Sequence, residues 1–261
     1  MVSQVNMFGL TFAVAFSLGC GIIPYLILWR RSASIETGMI SAICYGALGF
    51  FWAQLLLRYA LMAVIGSLNV FVTMQKEFYL GYLLVATLIS AGMAALANMW
   101  GLYLTNQKQK SMYRSATIGI GYGLANAALF TIMPLVSATQ INSGTFKGTA
   151  ELKNSIIGSN AMDLFLGGYK YGTFVLIGMA ISLVMGKYFL EGKIQKPIYI
   201  CLVTYGVIYF VRGGFAKILS AGVYRIVDPI VLTIFAAAAL YVVVKWKQWN
   251  VNQLPNKDIT V

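Results

Sequence analysis

Residues 115–136 read SATIGIGYGLANAALFTIMPLV, 22 residues without a charged side chain. Gly119, Gly121 and Gly123 give this stretch the outward look of a phosphate-binding glycine loop. Such a loop needs a strand before it and a helix N-terminus after it. Here the glycines sit inside an apolar run long enough to cross the hydrocarbon of a bilayer, which takes about 20 residues. In that setting their small size has a different use, because it lets helix backbones approach closely. Gly119 and Gly123 form a GxxxG, and Gly168 and Gly172 form a second one.

Six more apolar segments surround this one: Met7 to Trp29, Gly38 to Leu57, Phe78 to Leu104, Leu164 to Gly186, Pro197 to Val211 and Ala221 to Val244. The sixth in chain order, from Pro197, is the shortest, and the stretch from Arg58 to Gly66 either extends the second helix or lies on the surface. Of the 261 residues, 59% are hydrophobic and 10% charged, and the mean hydropathy is +0.77. These values exclude an ordinary soluble domain. The fold class is therefore all-α: a polytopic transmembrane helix bundle of about seven helices, with six to eight possible. Residues 1–250 form its single domain and residues 251–261 a short polar tail. The first segment lacks a charged front end and a small-residue cleavage site, so it is expected to stay as a helix. The linker 137–163 is rich in Ser, Thr, Asn and Gly and is expected to be an exposed loop.

The net charge of +12 comes from basic residues that fall between the apolar runs rather than in a dense patch. Membrane orientation accounts for it, and no nucleic-acid partner is expected. Arg30, Arg31, Lys108, Lys110, Arg114, Lys187, Lys193, Lys196, Lys245, Lys247 and Lys257 fall in alternate linkers, which leaves Lys76, Lys147, Lys153, Lys170, Arg58, Arg212, Lys217 and Arg225 for the other side. By the positive-inside rule the N-terminus is outside and the C-terminus cytoplasmic. Trp29, Trp100, Trp246 and Trp249 then form an aromatic belt near the cytoplasmic ends, and Trp52 packs in the bundle. Cys20, Cys44 and Cys201 have no CxxC spacing and are read as packing residues.

Histidine is absent and the acidic residues number seven. All of them except Asp228 stand at or beyond a helix end, and Asp228 lies near Arg225. Without histidine there is no His metal ligand, no His base and no Ser-His-Asp triad. No metal, cofactor or catalytic residue is expected.

The block LILWRRSASIETGMISAICYGALGFFWAQLLLRYAL resembles the second-helix region of the YhfC-type intramembrane metalloprotease family, down to a Gly-Ala-Leu-x-Phe-Phe-x-x-Gln-x-x-Leu-Arg run that ends at Arg58. The resemblance continues in order. AGMAALANM is similar to the family's Ala-Gly-x-x-Glu-Glu-x-x-Arg motif, and GIGYGLAN to its Gly-x-Gly-His-Gly-Gly-x-Glu motif. The resemblance implies a bacterial plasma-membrane protein with the framework of a protease, but the implied reactive positions differ. Ala95 and Leu96 replace the paired glutamates and Met99 the arginine; Tyr122 replaces the histidine, Leu124 a glycine and Asn126 the glutamate. Later family histidines correspond to Gly178 and Tyr205. Counted from the cytoplasmic ends at 1.5 Å per residue, Ala95, Tyr122, Gly178 and Tyr205 lie at depths of about 14, 11, 12 and 12 Å, as one former shared site would.

Tyr122 and Asn126 share a helix face, with Asn98 expected on a neighbouring helix. Two readings stay open. The polar side chains hydrogen-bond between helices, or they line a pocket or partner-helix groove with Gln54, Arg58, Tyr205 and Tyr209 lining or flanking it. Arg58 has the further reading of an interfacial anchor. The expected function is that of a pseudoprotease: a membrane protein that binds a transmembrane helix of another membrane protein, or a hydrophobic, membrane-active peptide, in a secretion-accessory, scaffold or immunity role. The alternatives are a permease or channel for a small neutral solute, with a polar path near the inner third, and an active hydrolase with another nucleophile. Lack of interior charge and of inverted repeats weighs against the permease.

Overall fold

The computed structural model describes residues 1–31, 36–106 and 111–245. The polar tail, Trp246, Trp249, Lys108, Lys110, Lys247 and Lys257 lie outside the described residues. Ten α-helices and one π-helical segment follow in order: α1 Gln4–Arg31, α2 Glu36–Gly49, the π-helical Phe50–Leu57, α3 Arg58–Gly66, α4 Asn69–Glu77, α5 Tyr79–Asn106, α6 Met112–Asn142, α7 Ala150–Ile157, α8 Ala161–Leu190, α9 Gln195–Ile218 and α10 Ala221–Lys245. Among the described residues there is no strand, and seven helical runs are long and apolar enough to span a bilayer. The second run, Gly38–Gly66, is continuous through α2, the π-helical segment and α3. Arg58 to Gly66 thus extends the second helix.

α6 and α8 form the centre. Burial covers 67% of the apolar span of α8 and 50% of that of α6, against 17% for α9 and α10. α8 packs on α6, α1, α10 and α9, while α6 also packs on α1 and α2, and α5 packs on α9. The glycines of the opening stretch explain how α6 is held on two sides at once. A Cβ on Gly119 would overlap the carbonyl of Gly178 on α8, one on Gly123 would strike the Val175 backbone, and one on Gly121 would overlap the carbonyl of Ile43 on α2. The second GxxxG serves the α1–α8 contact, where Gly168 meets the backbone of Ala13 and Gly172 meets Phe16 and Cys20. Dispersion between closely packed backbones holds the bundle together, because lipid offers no hydrophobic penalty for separation.

The outer faces are apolar in the opposite sense. Phe8, Leu26, Ile40, Leu56, Leu84, Val203 and Ile234 are all exposed. So extended an apolar girdle is stable only against lipid. Cys44 is also exposed, so the packing role expected of all three cysteines applies to half-buried Cys20 and buried Cys201 alone.

Linker 137–163 is more ordered than its composition suggests. α6 runs to Asn142, and the linker contains α7, whose N-cap Thr149 accepts from the Leu152 amide. Asn142 Oδ1 accepts from the Val2 amide at 2.7 Å, and Asn6 Nδ2 donates to the Ser159 carbonyl at 2.7 Å, which ties this segment to the start of α1. Polar composition there did not mark the end of the helix. Gly144 and Gly192, with φ of +75° and +78°, follow the ends of α6 and α8. Their left-handed conformation turns the chain where a helix must stop.

Candidate functional site

The π-helical segment Phe50–Leu57 interrupts the second span at its middle. Such segments are rare and cluster at functional sites, since the extra residue per turn re-aims the side chains beyond it. Phe50, Gln54, Arg58 and Tyr59 from this region face a cavity of about 360 Å³. The rest of the wall comes from Tyr82 to Ser90 on α5, Tyr122, Asn126 and Phe130 on α6, Tyr171 and Phe174 on α8, and Tyr209 and Arg212 on α9. Its volume lies in the range of ligand pockets and is too small to enclose a helix.

Five of the seven residues singled out from sequence therefore share this cavity: Gln54, Arg58, Tyr122, Asn126 and Tyr209. Gln54 is fixed by donating from Nε2 to the Ser90 carbonyl at 3.0 Å, which ties the π-helical segment to α5. Tyr122 stands edge-on to Phe50, with ring centroids 5.4 Å apart, and lies 6.3 Å from the ring of Tyr205. Tyr205 stacks on Tyr209 at 5.8 Å. Tyr205 itself is 1% exposed and stays behind the wall as a packing residue. Ala95, Tyr122 and Tyr205 belong to one core cluster, and Gly178 faces the Tyr205 hydroxyl. Tyr122 and Gly178 thus both lie beside Tyr205, and Ala95 shares their core cluster.

Asn98 fits the first of the two readings, a hydrogen bond between helices. It does not line the cavity with Tyr122 but is buried on another face of α5, where Oδ1 accepts from Ser182 Oγ at 2.5 Å and Nδ2 donates to the Ala94 carbonyl at 2.8 Å. Leu96 is exposed on the outer face, so only Ala95 of that pair turns inward.

The cavity has interior charge beside it, where none is expected from the sequence. Its walls come from the first halves of α5 and α8, the middle of α6 and of the second span, and the second half of α9, so it runs from the middle of the bundle toward the side that contains the start of α1. On that side, Asp228 pairs with Arg212 through Nε–Oδ1 at 2.5 Å and Nη2–Oδ2 at 3.1 Å, and with Lys170 at 2.8 Å. Arg225, near Asp228 in sequence, pairs with Asp163. Sequence reasoning missed this triad because the apolar run of α9 ends at Val211, which put Arg212 at a helix end. The available signal was that Arg212 and Asp228 stand at matching distances on either side of the Leu219–Ser220 turn.

The residues present do not suit the zinc that the protease resemblance implies. The matched positions offer methyl, phenol, amide and hydrogen, and among the described residues no three His, Cys, Asp or Glu side chains come together. The donor set for a structural or catalytic zinc is missing at these positions. Comparisons with protein families, with curated proteins and with solved structures return no match for this chain.

Proposed function

We propose that this chain is a noncatalytic binding protein of the membrane, a pseudoprotease with the framework of the YhfC-type family and without its chemistry. Its partner is a transmembrane helix or a membrane-active peptide that lies against the bundle and inserts a few side chains into the cavity. The observation that carries the reading is the cavity itself, which opens beside Tyr122 where the resemblance places a catalytic histidine. The volume suits side chains rather than a whole helix.

The charge pattern supports an N-terminus outside and a C-terminus in the cytoplasm. Of the eight basic residues that oppose this orientation, Arg58 and Arg212 line the cavity, Lys170 pairs with Asp228 and Arg225 pairs with Asp163. Basic residues that line the cavity or pair with a buried carboxylate are placed by those contacts, which leaves the linker cations to set the orientation. The cavity then runs from the middle of the membrane toward its outer side.

Photocrosslinking from position 126 in native membranes tests the docking. Asn126 is half-buried and lines the cavity. One defined protein or peptide adduct is expected; adducts with lipid alone contradict the partner reading. A small-solute permease is the second reading, favoured by the polar groups of the cavity, and uptake into proteoliposomes would reveal it.

A further inference from the structure

The cavity carries more positive charge than its surroundings balance. Arg58 and Arg212 line it, and Lys170 meets Arg212 on the shared carboxylate of Asp228. Among the described residues no carboxylate pairs with Arg58, and its Nε is buried without a hydrogen-bond partner. Its nearest compensation is the face of Tyr59, 5.9 Å from the guanidinium carbon. A guanidinium within a membrane span is expensive unless it finds an anion or water.

Arg212 is prepared for the same task. Asp228 engages its Nε and Nη2, which fixes the guanidinium plane beside Tyr224, while the residue also lines the cavity. Such planar forks recognise oxyanions such as phosphate. Tyr209 lies within electrostatic reach of both guanidinium groups. Its hydroxyl and the amide of Asn126 supply neutral donors, while Phe50, Leu83 and Phe174 supply an apolar wall. Leu56, Leu57, Leu80 and Leu84, on the helices that form this wall, are exposed toward the bilayer.

We propose that the cavity is a binding site for the phosphodiester headgroup of an anionic lipid, with Arg58 supplying the charge and Arg212, oriented by Asp228, supplying directed N–H donors. The headgroup would occupy the cavity that the proposed function gives to partner side chains, so the two occupants compete for it and are tested separately. A lipid fits better than a soluble anion because the cavity combines the cations with an apolar wall inside the span.

The test is lipid retention by the full-length protein in micelles containing equal amounts of phosphatidylglycerol and phosphatidylcholine, read by native mass spectrometry. Wild type is expected to retain phosphatidylglycerol over phosphatidylcholine by about tenfold, a difference of about 1.4 kcal/mol. Arg58→Gln should bring the two to parity, Arg58→Lys should keep most of the preference, and Lys153→Gln, on the exposed face of α7, should leave it unchanged. Excess inorganic phosphate should not release the lipid. Parity in the wild type overturns the assignment even if Arg58→Gln fails to fold, and so does a preference that survives Arg58→Gln. Release by inorganic phosphate would make this a site for a soluble anion and overturn the lipid. None of these outcomes depends on a peptide adduct at position 126.

Discussion

Arg212 on α9 and Asp228 on α10 face each other across the turn between their helices, joined by two parallel hydrogen bonds of 2.5 and 3.1 Å. Asp228 is 1% exposed, and Lys170 of α8 reaches the same carboxylate. One acidic side chain thereby joins α8, α9 and α10. Burying a lone charge costs far more than burying a paired one. Asp228→Asn leaves Arg212 and Lys170 adjacent without their counterion, and it should destabilise the bundle by about 3–5 kcal/mol. Thermal unfolding in detergent checks this, and an unchanged midpoint would mean that the pair is not formed.

The central glycines should tolerate no side chain. Gly119 and Gly121 meet backbone carbonyls on opposite neighbours, so no rotamer change can relieve a clash there. Gly119→Val and Gly121→Val should each cost at least the roughly 1–3 kcal/mol typical of overpacked cores. Gly206, which has open space where a Cβ would stand, should accept alanine without measurable loss. Comparative thermal melts decide the matter.

Asn98 should behave as a structural bond and not as part of the cavity. A double-mutant cycle with Asn98→Ala and Ser182→Ala should give a coupling of about 0.6 kcal/mol, the usual value between membrane helices. Retention of anionic lipid should be unaffected by Asn98→Ala, since the residue lies off the cavity wall. Loss of lipid preference in that variant would place Asn98 in the binding site.

Apolar runs free of charge carried most of the fold, because a bilayer imposes one length and one hydrogen-bonding solution on whatever crosses it. Tyr122, Asn126, Gln54 and Arg58 were legible for a related reason: polar groups in such runs are few enough to mark themselves. Their mutual arrangement was less so. Asn98 shares polarity with Asn126 but faces Ser182, since helix rotation is set by packing that periodicity in an all-apolar helix does not reveal. The π-helical segment at Phe50–Leu57 left no trace in FFWAQLLL, which reads as continuous helix. Arg212 looked like a helix-end anchor because snorkelling arginines and buried arginines occupy the same sequence positions.

The proposed topology rests on the distribution of basic residues between the spans. With Lys153 on exposed α7 and Lys187 at the end of α8 on opposite sides of the bundle, a cysteine at position 153 in intact cells should react with an impermeant maleimide. One at position 187 should react only after lysis. The reverse pattern would invert the orientation and turn the cavity toward the inner side.

In the function proposed, the bundle binds without cleaving. The most direct measurement is elemental analysis of the purified full-length protein for transition metals, run beside a peptide-cleavage assay on the same preparation. No stoichiometric metal and no turnover are expected, given the ligand-poor positions around Tyr122. One tightly bound zinc or other transition ion per chain, together with proteolytic turnover, would contradict the account.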